Sequence, residues 1–147
     1  MATTLILTHG RLALELLEAA RVIVGDLPDF QALALEWTDG PQEAEAKLRR
    51  ALEEVPGKAE VLILTDVFGG TPFRAAAAVR RPGAVEVVSG VNLPMVVRLA
   101  CGSQRGKPVR ELAEWIVERG RSGIALLEDD ATRPDAPCQE GAADGGT

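Results

Sequence analysis

The 147 residues, 46% of them hydrophobic, suffice for one domain but not for two; a domain of this size buries roughly 70% of its unfolded surface on folding. With 22 acidic residues against 16 basic ones the net charge is −6, and aromatic residues make up 3% with no Tyr, which argues against a nucleic-acid binder held by bulk charge or base stacking. The longest apolar runs, such as Val61 to Leu64, fall far short of the ~20 residues of a membrane span and no leader pattern opens the chain, so a cytoplasmic protein with no direct membrane insertion is expected.

Thr4 to Thr8 (TLILT) reads as a buried strand, Gly10 as a turn, and Leu12, Leu14, Leu16, Leu17, Ala20 and Val24 as the apolar stripe of a helix that Gly25 and Pro28 end. Ala32 to Trp37 is a second, less apolar strand, expected nearer an edge. Thr38 or Asp39 then caps a charged amphipathic helix over Pro41 to Val55, closed by Pro56 and Gly57. Glu60 to Thr65 is the third strand, followed at once by the loop Asp66 to Pro72 and an alanine-rich helix from Thr71 or Pro72 to Arg80. Val85 to Val88 is a fourth strand. Asn92 caps the next helix with Pro94 in its first turn, Arg105 to Pro108 turns the chain, and Val109 to Arg119 is another amphipathic helix. Ile124 to Leu127 is read as a short final strand. Strands alternating with crossover helices call for a doubly wound α/β fold on a mostly parallel sheet.

The charge is unevenly spread. Residues 128–147 hold six acidic residues and one Arg without apolar periodicity, which predicts a disordered acidic tail, whereas residues 1–127 form a nearly neutral domain. Cys101 and Cys138 stand at a separation matching no metal or redox motif, so neither a disulfide framework nor a zinc site is expected.

In open parallel sheets, ligands bind beyond the carboxyl ends of the strands where strand order reverses. His9, the one histidine, follows the first LILT, and Asp66 follows the second. In a sheet of order 2-1-3-4 their strands are neighbours ~4.8 Å apart and the side chains converge. A carboxylate accepting from Nδ1 fixes the imidazole tautomer and leaves a lone pair on Nε2, which makes an oriented nucleophile. The plainer reading is a satisfied polar histidine at a strand end. The loop Asp66-Val67-Phe68-Gly69-Gly70-Thr71-Pro72-Phe73 favours the first: Gly69 and Gly70 let backbone N–H groups approach an anion, the helix after them points its positive end the same way, and Thr71 adds a hydroxyl at the cap. With Gly10, these residues describe a site for a phosphoryl-sized anion. Neither a Walker lysine nor a dinucleotide fingerprint is present.

Thr8-His9-Gly10, the Asp66–Phe73 loop and Gly90-Val91-Asn92-Leu93-Pro94-Met95, in that order and spacing over roughly residues 1–127, resemble the mannose-class enzyme IIA domains of the phosphoenolpyruvate-dependent sugar phosphotransferase system. The resemblance implies that His9 accepts a phosphoryl group from the phosphocarrier HPr on Nε2 and passes it to an enzyme IIB, that Asp66 orients the ring, and that no cofactor or metal takes part. It also implies a homodimer in which the segment Ile124 to Leu127 pairs with the partner's sheet. Phe68, Pro72, Asn92, Pro94 and Met95 are expected at the pocket rim or dimer contact, with capping and packing as the structural reading of the last three.

Val67 stands where many members have a hydroxyl residue, and Arg74 where Asn is frequent. Arg74 and Arg11 are read as exposed helix-face charges, with contact to phosphate or to an acidic partner surface as the alternative. The acceptor is expected on a separate chain. Other readings are a regulator whose His9 phosphorylation is read by a partner protein, the IIA-like subunit of dihydroxyacetone kinase, and a hydrolase using Thr71, His9 and Asp66, the last disfavoured by the lack of a G-x-S-x-G elbow.

Overall fold

Successive residues of a strand face opposite sides of a sheet, and the two LILT segments bury both sides. The computed structural model describes residues 2–57, 59–127 and residue 138. In it Ile6, Leu62 and Leu64 face one apolar layer, and Leu5, Leu7 and Ile63 the other. Four strands, β1 (Thr3–His9), β2 (Phe30–Leu35), β3 (Val61–Thr65) and β4 (Val85–Val88), form a parallel sheet of order β2-β1-β3-β4. This is the expected doubly wound α/β arrangement. Helices α1 (Leu12–Val24), α4 (Leu93–Ala100) and α5 (Val109–Ser122) cover one face, and α2 (Pro41–Glu53) and α3 (Thr71–Val79) the other. The strand order reverses between β1 and β3.

Several local expectations are corrected. β2 stops at Leu35, paired with His9, and the chain turns at Glu36–Asp39, so Trp37 lies outside the strand. Neither Thr38 nor Asp39 caps α2, whose cap is Gly40; Asp39 instead accepts from the Glu36 N–H at 2.8 Å and from Lys47. α5 runs through Gly120 to Ser122, and Gly120 lies against Met95 of α4, where a Cβ would be 2.8 Å from Met95 Sδ. Ile124 to Leu127 forms no strand in the single chain, where β4 is the sheet edge and pairs only with β3 among the named strands; Ile124, Leu126 and Leu127 are exposed.

Cys101 and Cys138 are joined by a disulfide with their Cα atoms 5.5 Å apart, against expectation. Spacing in sequence is a poor measure of distance when α5 lies between the two positions. Apart from Cys138, the predicted acidic tail lies outside the described residues. Among the described residues, no helix is long and apolar enough to cross a membrane.

Candidate functional site

β1 and β3 run in register from Thr3↔Val61 to Leu7↔Thr65, so both end at the same edge of the sheet. His9 is the last residue of β1, not the first beyond it, and Asp66 is the first residue after β3. Asp66 Oδ2 accepts from the His9 backbone N–H at 3.0 Å and lies 2.8 Å from His9 Nδ1, while Oδ1 accepts from the Val67 N–H at 2.8 Å. Burial pushes the Asp66 carboxyl up, but these hydrogen bonds from the His9 backbone, the His9 ring and Val67 outweigh it and hold its pKa below the ordinary carboxylate value. An ionised Asp66 can only accept, so Nδ1 is the donor of this pair, and in a neutral ring the lone pair is then on Nε2. The Asp66 side chain is 9% exposed and that of His9 30%, so the carboxylate is largely buried and the imidazole is reachable.

Glycines bring the backbone close to this ring. A Cβ on Gly70 would fall 2.9 Å from His9 Cε1, so no larger residue fits without displacing the imidazole. Gly69 takes a left-handed φ of +82°, and the Gly70 N–H closes the turn onto the Val67 carbonyl at 3.2 Å. Gly70 is the N-cap of α3; Thr71 is its first residue, and no side chain caps the helix, so the expected hydroxyl cap is not formed. Gly10, at φ +56°, turns the chain from β1 into α1, whose Ala13 N–H is bound by Thr8 Oγ1 at 2.7 Å.

The remaining predicted residues separate into two groups. Phe68 is 76% exposed and packs on Phe73 with ring centroids 4.4 Å apart, whereas Pro72 is buried at the start of α3. Asn92 caps α4 by accepting from the Met95 N–H at 2.9 Å, Pro94 sits in the first turn, and Met95 is buried between α4 and α5. Phe68, Asn92 and Met95 line a groove beside β4 that does not include His9. Arg11 is a surface residue beside Glu15. Arg74 is exposed too, but its Nε donates to the Gly69 carbonyl at 3.0 Å and ties the loop to α3. Sequence reasoning missed Trp37, whose indole stacks on His9. The available signal was register: β2 is the parallel neighbour of β1, so residues just past its end lie beside His9.

The family model described as PTS system fructose IIA component (EIIA-man) matches residues 3–117. The PTS system fructose-specific EIIA component of Bacillus subtilis is 33% identical over 100 residues, covering 67% of this chain and 68% of the relative. The PTS system mannose-specific EIIAB component of Escherichia coli is 30% identical over 137 residues, 92% of this chain, which spans only 42% of that longer protein. Among solved structures, the mannose/sorbose specific IIA subunit from Enterococcus faecalis superposes with a TM-score of 0.80 at 30% identity, covering 90% of this chain and 98% of that one.

Proposed function

The chain belongs to the EIIA-man family of IIA components of the sugar phosphotransferase system, and from that premise we propose that it carries a phosphoryl group on His9 Nε2, taken from phospho-HPr and passed to an enzyme IIB. One observation carries the reading: His9 is partly exposed, its Nδ1 is held by an ionised Asp66 at 2.8 Å, and its Nε2 edge faces Gly70. Asp66 sets the tautomer and balances the charge that develops on the ring. The phosphoryl group is held by the backbone N–H of Gly69 and by the start of α3 at Thr71, while the N–H groups of Gly10 and Gly70 are taken by the Leu35 and Val67 carbonyls and those glycines serve to let the backbone approach, with positioning and electrostatic stabilisation accounting for the transfer. Neither cofactor nor metal has a step in this scheme.

Incubation with phosphoenolpyruvate, enzyme I and HPr, followed by intact mass measurement, tests it. An acid-labile phosphoryl adduct is expected on the wild type; its absence there refutes the reading. Exposed Ile124, Leu126 and Leu127, beside a sheet that ends at β4, support a homodimer in which residues 124–127 pair with the partner's β4. Sedimentation of the wild type as a monomer at micromolar concentration refutes that assembly.

A further inference from the structure

Trp37 has no part in the scheme above, yet it lies against the central residue. Its indole packs on the His9 imidazole with ring centroids 5.5 Å apart and planes at 16°, an offset stack. The turn that presents it is closed by two hydrogen bonds, from the Glu36 N–H to Asp39 Oδ2 at 2.8 Å and from the Asp39 N–H to the Glu36 carbonyl at 2.9 Å, and Lys47 anchors Asp39 to α2. Room for the ring comes from Gly10, where a Cβ would lie 3.2 Å from the indole. Trp37 is otherwise 78% exposed, so burial in the core does not account for its place.

We propose that Trp37 is a positioning residue for phosphoryl transfer, acting on the face of the His9 ring as Asp66 acts on its edge; the inference rests on the His9 carrier reading. In the transfer, the Nε2 lone pair forms a bond to phosphorus while the donor's P–N bond breaks and the departing nitrogen keeps the bonding pair. The proton on Nδ1 stays between His9 and Asp66, so positive charge appears on the His9 ring. An aromatic face within about 6 Å of a cation attracts it. That attraction grows as the charge develops, which is the condition for accelerating a step rather than only binding its reactants. The stack also opposes rotation of the imidazole and keeps Nε2 turned toward Gly70.

Trp37→Ala tests this, with Trp37→Phe as the conservative control. Labelling is followed with two donors: the full phosphoenolpyruvate, enzyme I and HPr relay, and phosphoramidate, a small donor with no protein surface for Trp37 to meet. Trp37→Ala is expected to label about 2- to 5-fold more slowly with both donors, the range set by an exposed cation–π contact, and Trp37→Phe to recover most of the rate. In a Trp115→Phe background, Trp37 emission is expected to change as the label appears. A loss confined to the HPr relay makes Trp37 a docking contact, and wild-type rates with both donors give it no role; either overturns the inference while His9 is still labelled. A wild type that neither donor labels refutes the carrier reading itself, and the inference with it.

Discussion

Asp66, just past β3, and Glu86, within β4, are carboxylates with 9% and 4% of their side chains exposed, and both are held below the ordinary carboxylate pKa. In each, burial pushes the pKa up and hydrogen bonds more than reverse it: from His9 and Val67 for Asp66, and from the Gly83 N–H and Arg80 for Glu86, with the charges of Arg80 and Arg110 added. They differ in the partner. Glu86 lies 3.1 Å from Arg80 and 3.7 Å from Arg110, groups that are always charged, and the Gly83 N–H reaches Oε1 at 3.0 Å. Its bonds tie α3, the turn before β4 and α5 to one strand and leave no open valence to react. Asp66 faces an imidazole, which can change charge and keeps its second nitrogen open. The same local device is structural where its partners carry fixed charge, and in the proposed scheme it serves phosphoryl transfer where its partner can take on charge.

Breaking the functional member gives the largest effects. His9→Ala is expected to abolish the phosphoryl adduct altogether while the far-ultraviolet circular dichroism stays that of the wild type; an acid-labile label surviving in this variant would move the acceptor elsewhere. Asp66→Asn keeps the volume but no longer balances charge on the ring or enforces the tautomer, and transfer is expected to slow on the order of 100-fold or more with the fold retained. Unchanged rates in stopped labelling would deny Asp66 its orienting role. Gly70→Val pushes side-chain atoms into the place of His9 Cε1, which a Cβ alone already approaches to 2.9 Å. Labelling about 10-fold slower or worse is expected from the lost geometry, and full labelling would show that the loop does not need to approach the ring.

The pairing of His9 with Asp66 was legible because two equally buried strands end at one edge of the parallel sheet that alternating strands and helices call for, and in the order 2-1-3-4 those strands are neighbours. Asn92 caps α4 as expected, but the caps of α2 and α3 were not legible. Asp39 has the chemistry of a cap but is drawn to the Glu36 N–H and Lys47, and Thr71 gives the N-cap position to Gly70. Gly120 reads as a helix end, yet α5 continues through it and Met95 packs where a side chain would be. Arg74 is the exposed charge expected, but the contact of its Nε with the Gly69 carbonyl could not be read from the sequence. Trp37 looks like the last residue of a strand, and only the turn after β2 folds it over a residue 28 positions earlier. These misses share a cause: each depends on a contact between segments that local pattern does not relate.

On the structural side of the comparison, Glu86→Gln keeps the shape of the side chain but gives up the charge shared with Arg80 and Arg110. Both arginines are about half exposed, at 41% and 56%, so water takes over their solvation, and the expected cost is about 1–3 kcal/mol by urea unfolding at neutral pH. His9 labelling should be unchanged, since Glu86 lies on β4 and has no contact with the site residues in its own hydrogen bonds. A Glu86→Gln protein as stable as the wild type would make the cluster energetically idle.

The smallest effect separates the two carboxylates by pH. A carboxyl with a depressed pKa in the folded chain binds its proton less tightly there than in the unfolded chain, so unfolding takes up protons as acid is added. The stability it contributes is therefore complete above the unfolded pKa, about 4, and is lost as the pH falls through the lower folded value. Wild-type stability should fall on this limb, with Asp66 and Glu86 both contributing. In Glu86→Gln one contribution is gone at every pH, so its stability deficit against the wild type should narrow between pH 7 and pH 3. Urea midpoints across that range measure the narrowing. A deficit that stays constant would mean that Glu86 acts through packing and neutral hydrogen bonds, and that the fixed charges of Arg80 and Arg110 are not what distinguishes it from Asp66.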